Sequence, residues 1–258
     1  MLRESRQKEI LNLLNTNGYV EISALCRMFN VTEMTIRRDL DQLAQYNDIE
    51  RTRGGAVRSE TTLYEETRFE HRINLHSEEK LQIASEALKY ISYGNTVYFD
   101  SGSTSFCLAQ SLPSDIHILA VTNALNICSE LTYRSNISTI MIGGEISRNT
   151  LSSRGTLSEE MLKLFRLDVA FLGANSIELD GKIYTANVNE TGLKKTAMRS
   201  AKKTYVLADS SKINSSKIIT YASLNEMDGL ITDSGISESD RKQLMEHGAN
   251  VIIADMQL

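Results

Sequence analysis

Arg37 and Arg38 stand side by side in TEMTIRRDL, residues 32–40, and Arg51, Arg53 and Arg58 follow within DIERTRGGAVR. A guanidinium is always charged and presents a planar fork of donors. That fork matches phosphate oxygens and the O6/N7 edge of guanine. A second group lies in DSGSTS, residues 100–105. Ser101, Gly102, Ser103 and Thr104 at the opening of a helix offer backbone amides, hydroxyls and a positive dipole end, which together cradle a phosphate. Lys80, Lys194, Lys195 and Lys212 are further cations. Cys26, Cys107 and Cys128 are far apart and form no C-x-x-C pair. They read as buried small residues in a reducing cytosol, and no metal or cofactor is expected.

Short helices must position the first group. Ile10, Leu13 and Leu14 recur at helical spacing, as do Ile22, Leu25 and Phe29, and Ile36, Leu40 and Leu43. Gly18 suits the end of the first helix, and Thr32, the last residue of the tight NVT turn, suits the cap of the third. Two helices joined so closely suggest helix-turn-helix. With Ile36, Leu40 and Leu43 inward, Met34, Thr35, Arg37, Arg38, Asp41 and Gln42 fall on the open arc. One arginine there can meet a base and its neighbour a phosphate, unless Asp39 or Asp41 pairs with either. Ile49 and Val57 flank Gly54-Gly55, a short hairpin decorated by Arg51, Arg53 and Arg58, hence a basic wing beside the recognition helix.

The net charge of −5 over 258 residues argues against nucleic acid only when taken whole. Residues 1–58 hold nine Lys/Arg against eight Asp/Glu, so the remainder carries −6. Five of those nine cations fall at 37–38 and 51–58, so phosphates can be gripped locally. No apolar run reaches 18 residues and no signal peptide opens the chain, so a cytoplasmic protein without membrane contact is expected.

Residues 59–76 are strongly polar and read as a connector between a domain at 1–58 and a second at 77–258. Ser77 is placed to cap a helix with Leu81, Ala84, Leu88 and Ile91 on one face. Short apolar runs then alternate with helical stretches: TVYFD (96–100), HILAV (117–121), STIMI (138–142), DVAFLG (168–173), TYVLAD (204–209), GLIT (229–232) and VIIAD (251–255). That pattern implies an α/β domain with a mostly parallel sheet covered on both faces. Small polar residues follow five of the runs, at 100–105, 122–124, 143–145, 173–175 and 209–212. Ligands of open α/β sheets bind outside the carboxyl ends of strands, so an anionic ligand is expected there.

The first stretch, with Arg6-x3-Ile10, Thr32-x2-Thr35-Ile36-Arg37-Arg38-Asp39-Leu40, Arg51 and Gly54-Gly55-Ala56, resembles the DeoR-type family of bacterial transcriptional regulators. Arg53 departs from the histidine usual before the Gly-Gly. The resemblance continues through DSGST, VTNALNI, IGGEI, FRLDVAFLGA, NETGLKKTAM and LADSSK. Those motifs look like the family's sensor domain, which resembles the ribose-5-phosphate isomerase and glucosamine-6-phosphate deaminase fold. The resemblance implies contact with double-stranded operator DNA by Thr32, Met34, Thr35, Arg37, Arg38, Arg51, Arg53 and Arg58. It implies sensing of a phosphorylated sugar by Lys80, Asp100, Gly102, Ser103, Thr104, Gly143, Gly144, Glu190, Lys194, Asp209 and Lys212. A homodimer or homotetramer is expected, because one winged helix reads too little DNA to be selective.

A sugar-phosphate isomerase or deaminase with a helical appendage is the rival reading. Such an enzyme needs a general base poised near pH 7. His71, His76, His117 and His247 follow no strand end, which leaves Asp100 or Glu190 for that role. A protein adaptor is a third reading. The sequence favours a DNA-binding repressor of a carbohydrate operon over both.

Overall fold

The computed structural model describes residues 3–46, 49–58, 68–215 and 219–254. The chain divides into two compact units, Met1–Thr62 and Leu63–Leu258.

The first unit runs α1 (Arg3–Asn17), β1 (Tyr19–Glu21), α2 (Ile22–Phe29), α3 (Glu33–Tyr46), β2 (Ile49–Arg51) and β3 (Gly55–Arg58). Gly18 takes φ 77° and its amide donates to the Leu14 carbonyl at 2.9 Å, which closes α1. Ile10, Leu14, Ile22, Leu25, Ile36, Leu40 and Leu43 meet in one core, with Leu13 and Phe29 partly covered. The three helical stripes therefore face one another, as their spacing requires.

Two features of this unit go beyond the sequence pattern. β1 pairs antiparallel with β3, so the hairpin has a third strand, in the order β1-β3-β2. Three residues are too few for alternation to register. The pairing also explains Gly55: a Cβ there would lie 1.9 Å from the Val20 carbonyl oxygen. Neither Gly54 nor Gly55 has a positive φ, so close strand approach, and not a left-handed turn, requires glycine at 55. The second feature is Asp39, which sits beside two solvent-facing arginines yet is only 1% exposed. Its carboxylate accepts from Arg6 Nε at 2.6 Å and from Gln7 Nε2 at 3.3 Å, tying α3 to α1.

The second unit opens with α4 (Phe69–Asn74), within the stretch assigned above to a connector. Phe69 is buried edge-on against Phe106, with ring centroids 5.5 Å apart, and its amide donates to the Asn149 carbonyl at 2.7 Å. Next come α5 (Ser77–Leu88), β4 (Thr96–Phe99), α6 (Ser103–Gln110), β5 (Ile118–Thr122), α7 (Leu125–Thr132) and β6 (Ile137–Met141). The hairpin β7 (Glu145–Ser147) and β8 (Ser152–Arg154) leads to α8 (Thr156–Leu162) and β9 (Leu167–Gly173). β10 (Ser176–Ile177), β11 (Lys182–Thr185), α9 (Val188–Ser200), β12 (Ala201–Leu207) and β13 (Ile219–Ser223) follow. The last elements are β14 (Gly229–Asp233), α10 (Glu238–Glu246) and β15 (Val251–Ala254).

All seven apolar runs are strands of one sheet, in the order β15-β14-β12-β9-β4-β5-β6, and every pairing in it is parallel. Successive residues serve opposite cores. Val97, Phe99, Val169, Phe171, Tyr205 and Leu207 face the α5–α7 side, while Tyr98, Ala170, Leu172 and Val206 join the core that includes Leu193 and Leu244. The chain runs outward from β4 through β5 to β6, then returns to β9 on the other side of β4 and continues outward to β12, β14 and β15. The direction of winding therefore reverses between β4 and β9.

One helix turns differently from its expected stripe. His76, at φ 50°, and not Ser77, precedes α5, and it makes no side-chain cap. Leu81 is 55% exposed, whereas Lys80 is buried with Ile83, Ala84 and Ala87. A lysine points inward because the loops beyond the sheet enclose a polar cavity at that end.

Two substitutions test the first unit. Gly55→Ala should lower its stability by about 1–3 kcal/mol, because backbone atoms of β1 cannot give way. Gly54→Ala, whose Cβ would meet nothing within 4 Å, should be close to neutral. Urea unfolding of both variants reads the difference, and equal stabilities would refute the steric account. Asp39→Ala should destabilise the same unit by about 3–5 kcal/mol, since it strands the buried Arg6 guanidinium. The check is the midpoint of helix loss by circular dichroism.

Candidate functional site

The first unit gathers its arginines on α3 and the hairpin. Met34 is 75% exposed at the start of α3, with Thr32, Thr35, Arg37 and Arg38 around it on the solvent side. The Thr35 amide reaches the Thr32 hydroxyl at 3.4 Å, the cap that the sequence implied. Arg37 donates to Glu33 Oε1 through Nη2 at 2.6 Å and Nε at 2.9 Å. Exposed pairs of this kind contribute about 1 kcal/mol or less, so a phosphate or base can replace the carboxylate. Among the described residues neither helix arginine pairs with Asp39 or Asp41. Asp39 is occupied by Arg6, and Asp41 accepts from Arg51 Nε at 2.8 Å. Arg51 also donates to the Gly55 carbonyl at 2.5 Å, so it fixes the hairpin against α3. Arg53 is exposed in the hairpin turn. Arg58 ends β3, and its side chain lies outside the described residues.

The second unit has a cavity where the winding reverses. Ser101–Ser105 after β4, Gly173–Asn175 at the end of β9, and Leu207, Ala208, Asp209 and Lys212 at the end of β12 line it. Three of the five polar strand ends thus converge, because β4, β9 and β12 are consecutive in the sheet. The other two do not. Gly143 and Gly144 follow the edge strand β6, two strands from β4 or about 10 Å away at normal strand spacing, and they line no part of the cavity. Gly144 instead packs under α8, where a Cβ would meet Ser158 Oγ at 2.2 Å. Asn123, after β5, accepts from the Tyr98 hydroxyl at 3.0 Å and donates to the Ser153 carbonyl at 2.9 Å, which are internal bonds.

Within the cavity α6 begins without a cap. Gly102, which has no side chain to cap with, precedes it in an extended conformation, and among the described residues no side chain bonds its first amides. Ser103, Thr104 and Ser105 are buried around them, and Ser105 Oγ has no hydrogen-bond partner among the described residues. Uncapped amides and an unused hydroxyl form an acceptor-hungry surface. Lys80, Lys194 and Lys212 stand around it, with Asp209 and Glu190 as the acids. Burial pushes the Lys80 ammonium below the usual lysine range, and the Asp209 carboxylate partly restores it.

Asp100 is differently employed. Its Oδ2 accepts from Lys194 Nζ and from the Gly173 amide, and it lies behind the cavity wall at 2% exposure. Lys194 also donates to the Gly173 carbonyl at 3.0 Å and stands 5.3 Å from the Tyr221 ring. This buried pair holds the ends of β4 and β9 and the side of α9 together. Glu190 accepts from the Thr185 hydroxyl at 2.7 Å, and Asp209 accepts from the Ser211 amide at 3.2 Å. Lys212 makes no side-chain bond among the described residues and faces the cavity.

Arg72, Leu75, His76 and Thr150 also line the cavity, and no motif pointed to them. Arg72 and His76 lie in polar chain before α5 and reach the site only because Phe69 docks α4 on α6. Ser105 had a signal: it continues the run of small residues after β4. Among the described residues no cluster of His, Cys, Asp and Glu could hold a metal, and no helix is long and apolar enough to cross a membrane. The three cysteines are unpaired; Cys107 is buried, whereas Cys26 and Cys128 are only partly covered.

Comparison with known proteins adds the family. The model of the DeoR-like helix-turn-helix domain matches residues 6–62, and that of the DeoR C terminal sensor domain matches residues 75–234. The HTH-type transcriptional regulator YulB of Bacillus subtilis (strain 168) is 34% identical over 251 residues, covering 97% of this chain and 96% of that protein. The glycerol-3-phosphate regulon repressor of Escherichia coli (strain K12) is 29% identical over 247 residues, covering 96% and 97%. Among solved structures, ribose 5-phosphate isomerase A from Methanocaldococcus jannaschii aligns over 53% of this chain and 54% of its own, at 19% identity and a TM-score of 0.40, a likeness too slight for any functional conclusion. With both domain models matched in order along the sequence, the chain belongs to the DeoR family of DNA-binding, helix-turn-helix transcriptional regulators.

Proposed function

We propose that this regulator represses a carbohydrate-metabolism operon and that a phosphorylated sugar in the cavity of the second unit controls it. The observation that carries the reading is the uncapped start of α6, with the unpartnered Ser105 hydroxyl and the Lys80 and Lys212 side chains turned to the same space. A phosphate would accept from the amides and hydroxyls of Ser101–Ser105 and pair with Lys212. Asp209 and Glu190 would accept from sugar hydroxyls. The relative named as a glycerol-3-phosphate regulon repressor supports a phosphorylated effector. The cavity binds without turnover in this reading: the Asp100 carboxylate is committed to Lys194, and Glu190, which accepts from the Thr185 hydroxyl, holds a sugar hydroxyl and does not act as a base.

The proposed DNA face is α3 with its hairpin: Thr32, Met34, Thr35, Arg37 and Arg38 toward the major groove, and Arg51, Arg53 and Arg58 toward flanking phosphates. A recognition helix reads only a few base pairs, so selectivity calls for at least two copies on a repeated half-site. A homo-oligomer, dimer or tetramer, therefore forms the operator complex.

Arg38→Ala should weaken operator binding by about 1–3 kcal/mol and relax preference at one base position. Arg53→Ala should weaken binding to all sequences and lower the slope of log K against log salt by roughly one unit. Titrations of operator and scrambled duplex across salt concentrations separate the two. Parent-like binding by Arg38→Ala and by Arg37→Ala would remove α3 as the reading helix.

The cavity makes a separate prediction. A Cβ at Gly102 would meet no atom closer than 3.9 Å, so Gly102→Ala should fold normally and obstruct only a ligand on the α6 amides. Lys212→Ala removes one charge-assisted bond, worth about 1.5–3 kcal/mol, or roughly ten- to a hundredfold in effector affinity. Both variants should keep operator affinity and lose the response to effector. The assay titrates operator complexes with sugar phosphates and their unphosphorylated parents. An unphosphorylated sugar acting as well as its phosphate would overturn the site.

A further inference from the structure

α4 ends over the cavity. The carbonyls of Arg72 and Leu75, at its carboxyl end, both accept from the buried Lys80 ammonium. Arg72, Leu75 and His76 line the same cavity as Ser103, Thr104 and Ser105 at the start of α6. We infer that this corner between α4 and α5 belongs to the anion site: Arg72 and His76 contact a bound phosphate group, and Lys80 exchanges the α4 carbonyls for it. The inference rests on reading the cavity as an effector site. It adds the residues of the corner and names the bonds that respond.

Three observations carry it. Lys80 is 3% exposed, and an ammonium has three donors, two of which now hold neutral carbonyls. An anionic oxygen is the stronger acceptor and competes for them. Second, Arg72, Lys80 and Lys212 share the cavity with the acids Asp209 and Glu190, while Lys194 is matched by Asp100. Burial first, and to a smaller degree Lys212 and Arg72, disfavour the charge on Lys80, with Asp209 opposing them, so an anion arriving beside it would favour the charged ammonium. Third, the corner is attached unevenly. The amino end of α4 is fixed by the Phe69 ring against Phe106 and by the Phe69 amide on Asn149. At the other end Leu75 is 44% exposed, and His76 sits at φ 50°, a left-handed conformation unusual for a residue other than glycine. Ile73 packs only partly on the core. Loss of the Lys80 bonds would therefore loosen the carboxyl end of α4 while its amino end stays docked.

The consequence reaches beyond the cavity. α4 is the first described helix after residues 59–67, through which the chain passes to the DNA-binding unit. A ligand shifts an equilibrium only through different affinity for two states, and exchange of the Lys80 partners supplies such a difference.

The test uses the full chain, with inorganic phosphate and a set of pentose and hexose phosphates as probes. Calorimetry reads binding, and amide hydrogen exchange reads residues 69–80. The expected result is binding by the parent with several-fold faster exchange in α4, about tenfold weaker binding by Arg72→Gln, and fast, ligand-insensitive α4 exchange in Lys80→Met. Should Lys80→Met fail to fold, the parent exchange and Arg72→Gln decide the matter alone. Probe binding with unchanged α4 exchange and parent-like affinity in Arg72→Gln would overturn the corner's role and leave the cavity reading standing. Absence of binding by every probe would overturn both.

Discussion

Parallel pairing puts the carboxyl ends of all seven strands on one edge of the sheet, and with them the amino ends of helices that follow. A parallel sheet must be covered on both faces, so its strands are apolar throughout and its polar groups collect at the ends. Where the winding reverses, neighbouring connections depart to opposite faces and leave a crevice. In this chain the crevice opens between β4 and β9, and Ser101–Ser105, Gly173–Asn175, Leu207–Asp209 and Lys212 close around it. The ligand chemistry proposed for the second unit is a consequence of that reversal.

The buried charges of the two units share a logic. Arg6 with Asp39 and Lys194 with Asp100 each join separate elements, α1 to α3 in one case and α9 to β4 in the other. Such pairs add little net stability against an apolar alternative, but removal of one partner strands the other at high cost. They act as geometric pins. The first leaves Arg37 and Arg38 free of Asp39; the second keeps Asp100 from the cavity while it secures the walls. Lys80 contrasts with both. Among the described residues it donates to two carbonyls, and Asp209 acts on it only through its charge, so it is the buried cation best able to answer a new anion.

Surface carboxylates qualify the proposed DNA face. Glu33 and Asp41 hold Arg37 and Arg51 in exposed pairs. These pairs are weak, so they orient the guanidinium forks without withholding them from DNA. Arg51 has an additional bond to the Gly55 carbonyl and thereby helps set the hairpin beside α3.

How much was legible in advance depended on distance along the chain. Helical spacing identified the three stripes of the first unit, Gly18 closed α1, and the seven apolar runs all became strands, because each signal is local and repeats every two or nearly four residues. The family was equally legible, since its motifs are contiguous. Tertiary structure alone decided the rest. It made Gly55 obligatory through β1, three residues long and silent in the sequence. It turned Lys80 inward in place of Leu81 and brought Arg72 and His76 to the cavity through one buried phenylalanine. It joined the strand ends after β4, β9 and β12 and left Gly143 and Gly144 aside, because strand order is set by packing between distant segments, and no local pattern encodes it.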